Sequence, residues 1–163
     1  MIQQYSGIQA YILRIRRRLH QIPEIGLNLP KTASFIQREL EALQIPYVLS
    51  ERDSGIMAVI KGDYPGKTVA FRADMDALQL EEENTVDYCS LHKGCMHACG
   101  HDAHMAMLLG TARLLMTWRH SMHGTVRLIF QPGEETARGA ALAIQDGFVD
   151  RVDAIFGLHI GTL

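Results

Sequence analysis

Residues 125–135 read TVRLIFQPGEE, and this segment gives the strongest indication of the architecture. Its first seven residues are apolar on both alternations, with Val126, Leu128 and Phe130 on one side and Ile129 on the other. That pattern is typical of a strand covered on both faces. A Pro-Gly pair ends the strand, and two glutamates follow directly. The segment therefore predicts a central strand with carboxylates at its carboxyl end.

Helical and strand patterns alternate on either side of this segment. Helices are predicted over residues 6–21, 30–44, 101–119 and 138–146. Strands are predicted over residues 47–50, 55–60, 68–72 and 152–159. This alternation predicts an α/β fold, with a largely parallel sheet that carries helices on both faces. Residues 73–98 lack periodicity and are rich in acidic side chains, so we interpret them as a long functional loop.

The composition indicates one ordinary globular unit. The 163 residues are 47% hydrophobic with a formal net charge of -2, so we expect neither a nucleic-acid nor a membrane partner. The four arginines of the first helix, Arg14 and residues 16–18, are expected mostly on its solvated face. The first residues include no long apolar stretch of the kind that export requires, and the three cysteines are an odd number. We therefore expect a reducing, cytoplasmic setting.

Three predicted strands end in residues that can bind a metal ion. Asp74 follows the strand over 68–72, the glutamate pair follows the central strand, and His159 ends the last strand. The carboxyl ends of parallel strands meet at one edge of the sheet, where the ligands of α/β proteins bind. We therefore expect these side chains to lie close together, beside the turn that opens the helix at residue 101.

That turn, MHACGHDAH over residues 96–104, supplies sulfur and nitrogen donors. Cys99 and His101 are two residues apart, so in an extended segment both can point at one metal centre. With Glu135 and His159 they form a mixed set of ligands suited to Zn²⁺, Mn²⁺ or a similar divalent ion. The adjacent glutamates suggest a division of labour, in which one carboxylate binds the metal and the other takes a proton from activated water.

Two simpler interpretations remain open at this point. Cys95, His97, Cys99 and His101 could instead form a structural zinc clip within a single loop. The glutamate pair after Pro-Gly could be an ordinary solvated turn. The clip, however, leaves the polar residues at the other strand ends unexplained.

Four ordered blocks of the sequence resemble one protein family. The blocks are FRADMDAL (71–78), MHACGHDAHMAMLLG (96–110), GTVRLIFQPGEE (124–135) and DAIFGLHI (153–160). They are similar to the amidohydrolase branch of the aminoacylase and carboxypeptidase metallopeptidases, of the hippurate hydrolase, auxin-conjugate hydrolase and N-acetyldiaminopimelate deacetylase type. The opening RRRLHQIPEIG (16–26) also looks like the first helix and turn of this family, so the resemblance covers nearly the whole chain.

The resemblance implies a zinc-exopeptidase-like catalytic domain with two divalent metal ions, zinc or manganese, with cobalt and nickel as alternatives. The metal ligands that it implies are Cys99, His101, Glu135 and His159. It makes Glu134 the general base and gives Asp74 a supporting catalytic position beside the metals. The implied activity is hydrolysis of the amide bond of N-acyl-amino acids by metal-activated water.

The chain departs from the family pattern in two stretches. Gln79-Leu80 stands where a Pro-Ile pair is usual, and residues 136–138 replace a glycine-richer stretch after the glutamates. These departures bear on substrate preference and on local loop shape. They affect no implied metal ligand.

The chain also departs from the family in length. Because family members are more than twice as long, we expect residues 1–163 to be the N-terminal half of the catalytic domain. The lid or dimerisation domain is then absent, as is the C-terminal half that supplies a further histidine ligand. We expect the isolated chain to be inactive or weakly active. The alternative is a non-catalytic fragment that folds, self-associates and binds metal weakly.

Overall fold

A computed structural model describes residues 7–161 of the chain. The helices are α1 (Ile8–His20), α2 (Pro30–Ala42), α3 (His101–Trp118) and α4 (Gly139–Gln145), with a 3₁₀ turn at Arg119–Ser121 after α3. The strands are β1 (Tyr47–Leu49), β2 (Ile56–Lys61), β3 (Tyr64–Asp74), β4 (His123–Gln131) and β5 (Ala154–Gly157). Every predicted element is present within a few residues of its expected ends, although Ser6, the predicted start of α1, lies outside the described residues. None of the described helices combines the length and hydropathy needed to cross a membrane.

The five strands form one mixed sheet in the order β1-β2-β4-β3-β5. The α/β class is confirmed, but only the β4–β3 and β3–β5 pairs are parallel, whereas β1–β2 and β2–β4 are antiparallel. A short loop over residues 50–55 joins β1 to β2, and a loop of that length permits only an antiparallel pair. Residues 62–63 reverse the chain between β2 and β3, so β4, which lies between them, must be antiparallel to one of the two. The expected parallel arrangement therefore holds for the three strands that carry the candidate site.

The central strand β4 is covered on both faces, as its sequence predicts. Leu128 and Phe130 are fully buried in the main core, which also holds apolar residues of α1, α2 and α3. Ile129 points the other way and packs with Ala70 and Phe148 in a smaller cluster that α4 helps to cover. Burial on both faces fixes the register of β4, because a slip of one residue would exchange its two apolar faces.

Helix α1 buries one stripe against this core and holds one unexpected ion pair. Tyr11, Ile15 and Leu19 are buried at helical spacing. Three of its arginines are exposed as predicted, but the Arg16 Nε lies 2.8 Å from the fully buried carboxylate of Asp102 and forms an ion pair with it. This ion pair ties α1 to the first turn of α3, next to the candidate site.

The long loop over residues 75–100 contains no helix or strand, as predicted. Two isolated bridges, between Ile25 and Ala77 and between Leu78 and Met96, attach it to its surroundings. The first half of the loop is therefore fastened next to its second half. This arrangement returns the chain to the carboxyl edge of the sheet just before α3 begins.

Candidate metal centre

The candidate site lies where the three parallel strands end. Asp74, the last residue of β3, pairs with Gln131, the last residue of β4. On the other side of β3, strand β5 ends opposite Arg72, two residues before the end of β3. Because the strands stop together, the segments that follow them leave the sheet at one edge. The structure therefore brings Asp74, the Glu134-Glu135 turn and the His159 segment to the same place, as the strand ends predict.

Cys99 and His159 meet at this edge. The Cys99 Sγ and the His159 Nε2 are 3.4 Å apart. With a ring nitrogen of His101 they form a group whose ligand atoms all lie within 4.8 Å of one another. Donor separations of this size are compatible with ligands that share one metal ion.

Gly100 allows the chain to place two donors so close together. It precedes α3 in the left-handed region, with φ at +87°, which a residue with a side chain rarely adopts. A Cβ at this position would also lie 2.4 Å from the Ile160 side chain. Cys99 and His101 therefore converge through a left-handed glycine and the first residue of a helix, rather than along an extended segment as the sequence suggested.

His101 lies at the centre of the site with one nitrogen unsatisfied. Its Nδ1 donates a 2.7 Å hydrogen bond to the backbone carbonyl of Asp76, which leaves the lone pair of Nε2 facing the site. Nε2 is buried and has no hydrogen-bond partner among the described residues. It lies 3.7 Å from an Asp74 oxygen and 3.8 Å from oxygens of both Glu134 and Glu135. A lone pair that faces three carboxylates is unfavourable unless a cation lies between them.

The electrostatics of the site favour such a cation. Burial alone would lower the pKa of His101, but its bond to Asp76 and the charges of Asp74 and Asp76 raise that pKa above the ordinary value. The direction of this shift means that the surroundings stabilise positive charge at the imidazole. A proton or a bound metal ion can supply that charge, so the residues present fit a divalent cation.

The same surroundings favour the charged form of His101 but disfavour the charged form of Cys99. Burial, a hydrogen bond with Glu135 and the negative charges nearby raise the pKa of Cys99 to about 11. In the metal-free chain Cys99 is therefore a neutral thiol at pH 7. A thiolate there needs a metal ion as its counter-charge, since a coordinating thiol is deprotonated outright.

Asp76 positions the two glutamates and was not singled out by the sequence analysis. Its carboxylate is 1% exposed and accepts hydrogen bonds from the backbone N–H groups of Glu134 and Glu135, at 3.0 and 3.1 Å. Its backbone carbonyl also holds His101. The available signal was its position two residues after Asp74, because alternate residues of an extended segment point the same way.

Asp74 lies between two further side chains, neither of which was predicted as a site residue. Its oxygens accept hydrogen bonds from Arg72 at 2.9 Å and from the His104 Nδ1 at 2.5 Å. Burial would raise the pKa of Asp74, but the His104 bond and the charges of His101 and Arg72 lower it below the ordinary value. Asp74 therefore remains a carboxylate beside the site. The signal for His104 was its spacing of three residues from His101, which puts both on one face of α3.

The structure does not assemble the loop clip. Among residues 7–161, neither Cys95 nor His97 belongs to any group of three or more close potential ligands, whereas Cys99 and His101 do. His97 is buried, and both of its ring nitrogens lack a hydrogen-bond partner in the described part of the chain. Burial lowers the pKa of His97 to about 4, so this imidazole is neutral at pH 7.

Comparisons with known sequences show which proteins this chain resembles. Residues 70–162 match the sequence profile described as peptidase family M20/M25/M40. The chain is 44% identical over 154 residues to an N-acetyl-L-cysteine deacetylase of Bacillus subtilis, a match that covers 94% of the chain and 37% of that protein. It is 40% identical over 154 residues to an N-acyl-L-amino acid amidohydrolase of Geobacillus stearothermophilus, with 94% and 42% covered. The chain thus spans about two fifths of the length of these relatives.

A solved structure agrees with these matches. The Bacillus subtilis YxeP protein, described as a dinuclear metal-binding peptidase, superposes with a TM-score of 0.92 at 41% identity. The superposition covers 96% of this chain and 44% of that protein. At this similarity the fold of the two chains is the same over the shared region.

The role of Asp76 gives a first prediction. In Asp76→Asn, an amide NH₂ replaces one of the two acceptor oxygens, so one glutamate N–H loses its partner and meets a donor. We expect the affinity for Zn²⁺ to fall roughly 10- to 100-fold, as is usual when a group that orients metal ligands is lost. Isothermal titration of the purified chain measures this change. Asp87→Asn, at an exposed position of the same loop, is the matched control, and equal affinities in the two variants would contradict the assigned role.

Proposed function

This chain belongs to peptidase family M20/M25/M40, and we propose that it supplies most of the metal site of an amidohydrolase that cleaves N-acyl-amino acids. The observation that carries the proposal is the buried Nε2 of His101, which faces carboxylate oxygens of Asp74, Glu134 and Glu135 and has no hydrogen-bond partner among residues 7–161. The names of the relatives support the substrate class, since they include a deacetylase and an amidohydrolase of N-acyl amino acids.

The proposed metal ligands are Cys99, His101, Glu135 and His159. The mixed sulfur, nitrogen and oxygen set suits Zn²⁺ or Mn²⁺, and also Co²⁺ or Ni²⁺. The dinuclear relative supports two ions rather than one. When bound, such ions polarise the scissile carbonyl and make water more acidic. Cys99 must stay reduced to bind, and the three free cysteines agree with the cytoplasmic setting that we propose.

Glu134 is the proposed general base. Its side chain is 40% exposed, and one oxygen lies 3.8 Å from the His101 Nε2, so it borders both the site and solvent. Its backbone is held by Asp76, which fixes where the side chain begins. In this role Glu134 takes a proton from the attacking water and passes it to the nitrogen of the departing amine. Asp74 stays charged beside His101 and helps the site to hold a cation.

A cavity of about 660 Å³ opens beside Cys99 and His159 and offers room for the substrate. Leu80 and Val86 of the long loop contribute apolar surface to its wall. Such a wall suits an acyl group or an apolar amino-acid side chain. Leu80 belongs to the pair that departs from the family pattern, so we propose that this pair contributes to substrate preference.

We propose that the chain alone has little activity. Its relatives are more than twice its length, and the family resemblance assigns one further histidine ligand to the part that the chain does not include. The rival proposal is a non-catalytic fragment that self-associates. It is favoured by β5, an edge strand on which Ile155 and Phe156 are each about half exposed.

A ligand series tests the metal site. We expect Cys99→Ser and Glu135→Gln each to weaken Zn²⁺ binding at least 10-fold, because each removes a proposed metal ligand. Loss of a ligand should weaken binding at least as much as loss of a residue that only orients a ligand. Cys95→Ser is the matched control and should leave binding unchanged. Metal content after gel filtration and a titration measure both. The opposite pattern, with loss in Cys95→Ser and none in Glu135→Gln, would establish the loop clip instead.

The general base is tested in a complete enzyme. In a chimera, this chain replaces the matched segment of the N-acetyl-L-cysteine deacetylase, and kcat is measured on N-acetyl-L-cysteine. We expect Glu134→Gln to lower kcat by about 10²- to 10⁴-fold with unchanged metal content, because the proton acceptor is lost while the ligands stay. Glu83→Gln, in the exposed part of the long loop, serves as control. An active Glu134→Gln chimera would refute this assignment.

Self-association has its own test. We expect the purified chain to form dimers or larger species in light scattering, and Ile155→Lys to shift it towards the monomer because a charge blocks the exposed strand edge. Ile144→Lys, at a similarly exposed position of α4, should have no effect. A wild-type chain that is monomeric at high concentration would rule the association out.

A further inference from the structure

His104 connects two of the strand ends through both of its ring nitrogens. The Ile160 backbone N–H donates a 3.0 Å hydrogen bond to the His104 Nε2. An N–H can only donate, so Nε2 is the acceptor and the ring proton lies on Nδ1. That proton is then donated to Asp74, 2.5 Å away. This geometry therefore fixes the donor and the acceptor of both hydrogen bonds that His104 makes, to Asp74 and to Ile160.

The side chain of Ile160 provides a second attachment at the same point. It lies over Gly100, where even a methyl group would come within 2.4 Å of its Cδ1. The segment after β5 is therefore seated on the first turn of α3, beside Cys99. The rings of His104 and His159 are adjacent there, with centroids 4.7 Å apart.

The His159 side chain contacts the Cys99 Sγ and donates a 2.6 Å hydrogen bond from its Nδ1 to the carbonyl of the adjacent Ile160. The second of these bonds is local and moves with the segment. Strand β5 ends at Gly157, and the chain beyond it is open to solvent, with Leu158 78% and Ile160 46% exposed. Packing alone therefore restrains this segment weakly. A hydrogen bond to a buried imidazole, which is itself held by a buried carboxylate, is a much stronger restraint.

We propose that His104 is a positioning residue that sets the place of His159 relative to Cys99 and His101, through the backbone of Ile160. This inference rests on the proposed metal site. His104 is not a ligand, although it lies within 4.8 Å of Asp74 and His101, because both of its nitrogens are already used. Its substitution should weaken metal binding only through His159.

The first measurement is a double-mutant cycle with Co²⁺ as the probe, read from the thiolate-to-cobalt absorption and from the titration. We expect His104→Ala to lower the Co²⁺ affinity of the wild-type chain roughly 10- to 100-fold. In a His159→Ala background the same change should have almost no further effect, since the residue that it positions is gone. His104→Gln should restore most of the affinity, because its amide oxygen can accept from Ile160 at the ε position.

The control is His120→Ala, at an exposed histidine that follows α3, which should bind Co²⁺ as the wild type does. Additive losses in the cycle would show that His104 acts on the fold or as a ligand, and unchanged affinity in His104→Ala would also overturn the proposal. Co²⁺ bound without thiolate absorption would instead refute the metal site.

The second measurement needs no metal. Hydrogen exchange of the Ile160 amide should be slow in the metal-free wild type and in His104→Gln, and at least tenfold faster in His104→Ala. Fast exchange of the Ile160 amide in the wild type would overturn the His104–Ile160 hydrogen bond, even where Co²⁺ binds through Cys99. Slow exchange of this amide without Co²⁺ binding would support the His104–Ile160 hydrogen bond and refute the proposed function. Failure of the inference and failure of the proposed function are therefore distinguishable.

Discussion

The structure depends on one electrostatic constraint, which is the gathering of carboxylates around the unpartnered nitrogen of His101. The oxygens of Glu134 and Glu135 and this nitrogen lie within 4.8 Å of one another. Two like charges about 4 Å apart repel by roughly 1 kcal/mol in water and about 4 kcal/mol at the effective dielectric near a protein surface. Even when solvent screens the two partly exposed side chains, this repulsion opposes the ordinary 5–15 kcal/mol stability of a domain. A cation bound between these carboxylates would offset their repulsion.

The rest of the architecture serves to impose that arrangement. Burial of β4 on both faces fixes its register and so the position of the turn that follows it. The parallel register of β3 with β4 then places Asp76 under the glutamates, where its carboxylate orders their backbone. Arg16 and His20 of α1 hold Asp102, which is next to His101 in the first turn of α3. The backbone that carries these carboxylates therefore cannot shift without breaking these hydrogen bonds and core contacts.

The parts of the site that sequence patterns predicted are those set by chain direction. Strand ends, helix starts and the i, i+2 spacing of Cys99 and His101 depend on local periodicity, and the structure places these residues together. Asp76 and His104 were missed because their importance lies in hydrogen bonds to backbone groups distant in sequence, at Glu134, Glu135 and Ile160. Their spacings from Asp74 and His101 place them beside the site but do not reveal these contacts before the fold is known.

The mixed sheet shows the same limit for the fold. The alternation of strands and helices indicated parallel pairs, and it did so correctly for β4, β3 and β5. It could not reveal that β4 inserts between β2 and β3, since this choice depends on long-range packing of apolar faces. The antiparallel β2–β4 pair follows from that insertion, whereas the antiparallel β1–β2 pair follows from the short loop between those strands.

The most direct measurement of the central claim is X-ray absorption at the zinc edge of the zinc-loaded chain. The account predicts one sulfur ligand per chain at about 2.3 Å from zinc, contributed by Cys99, with nitrogen and oxygen ligands completing the coordination. Two sulfur ligands would place Cys95 in the site and contradict the account, as would a zinc ion coordinated by nitrogen and oxygen alone.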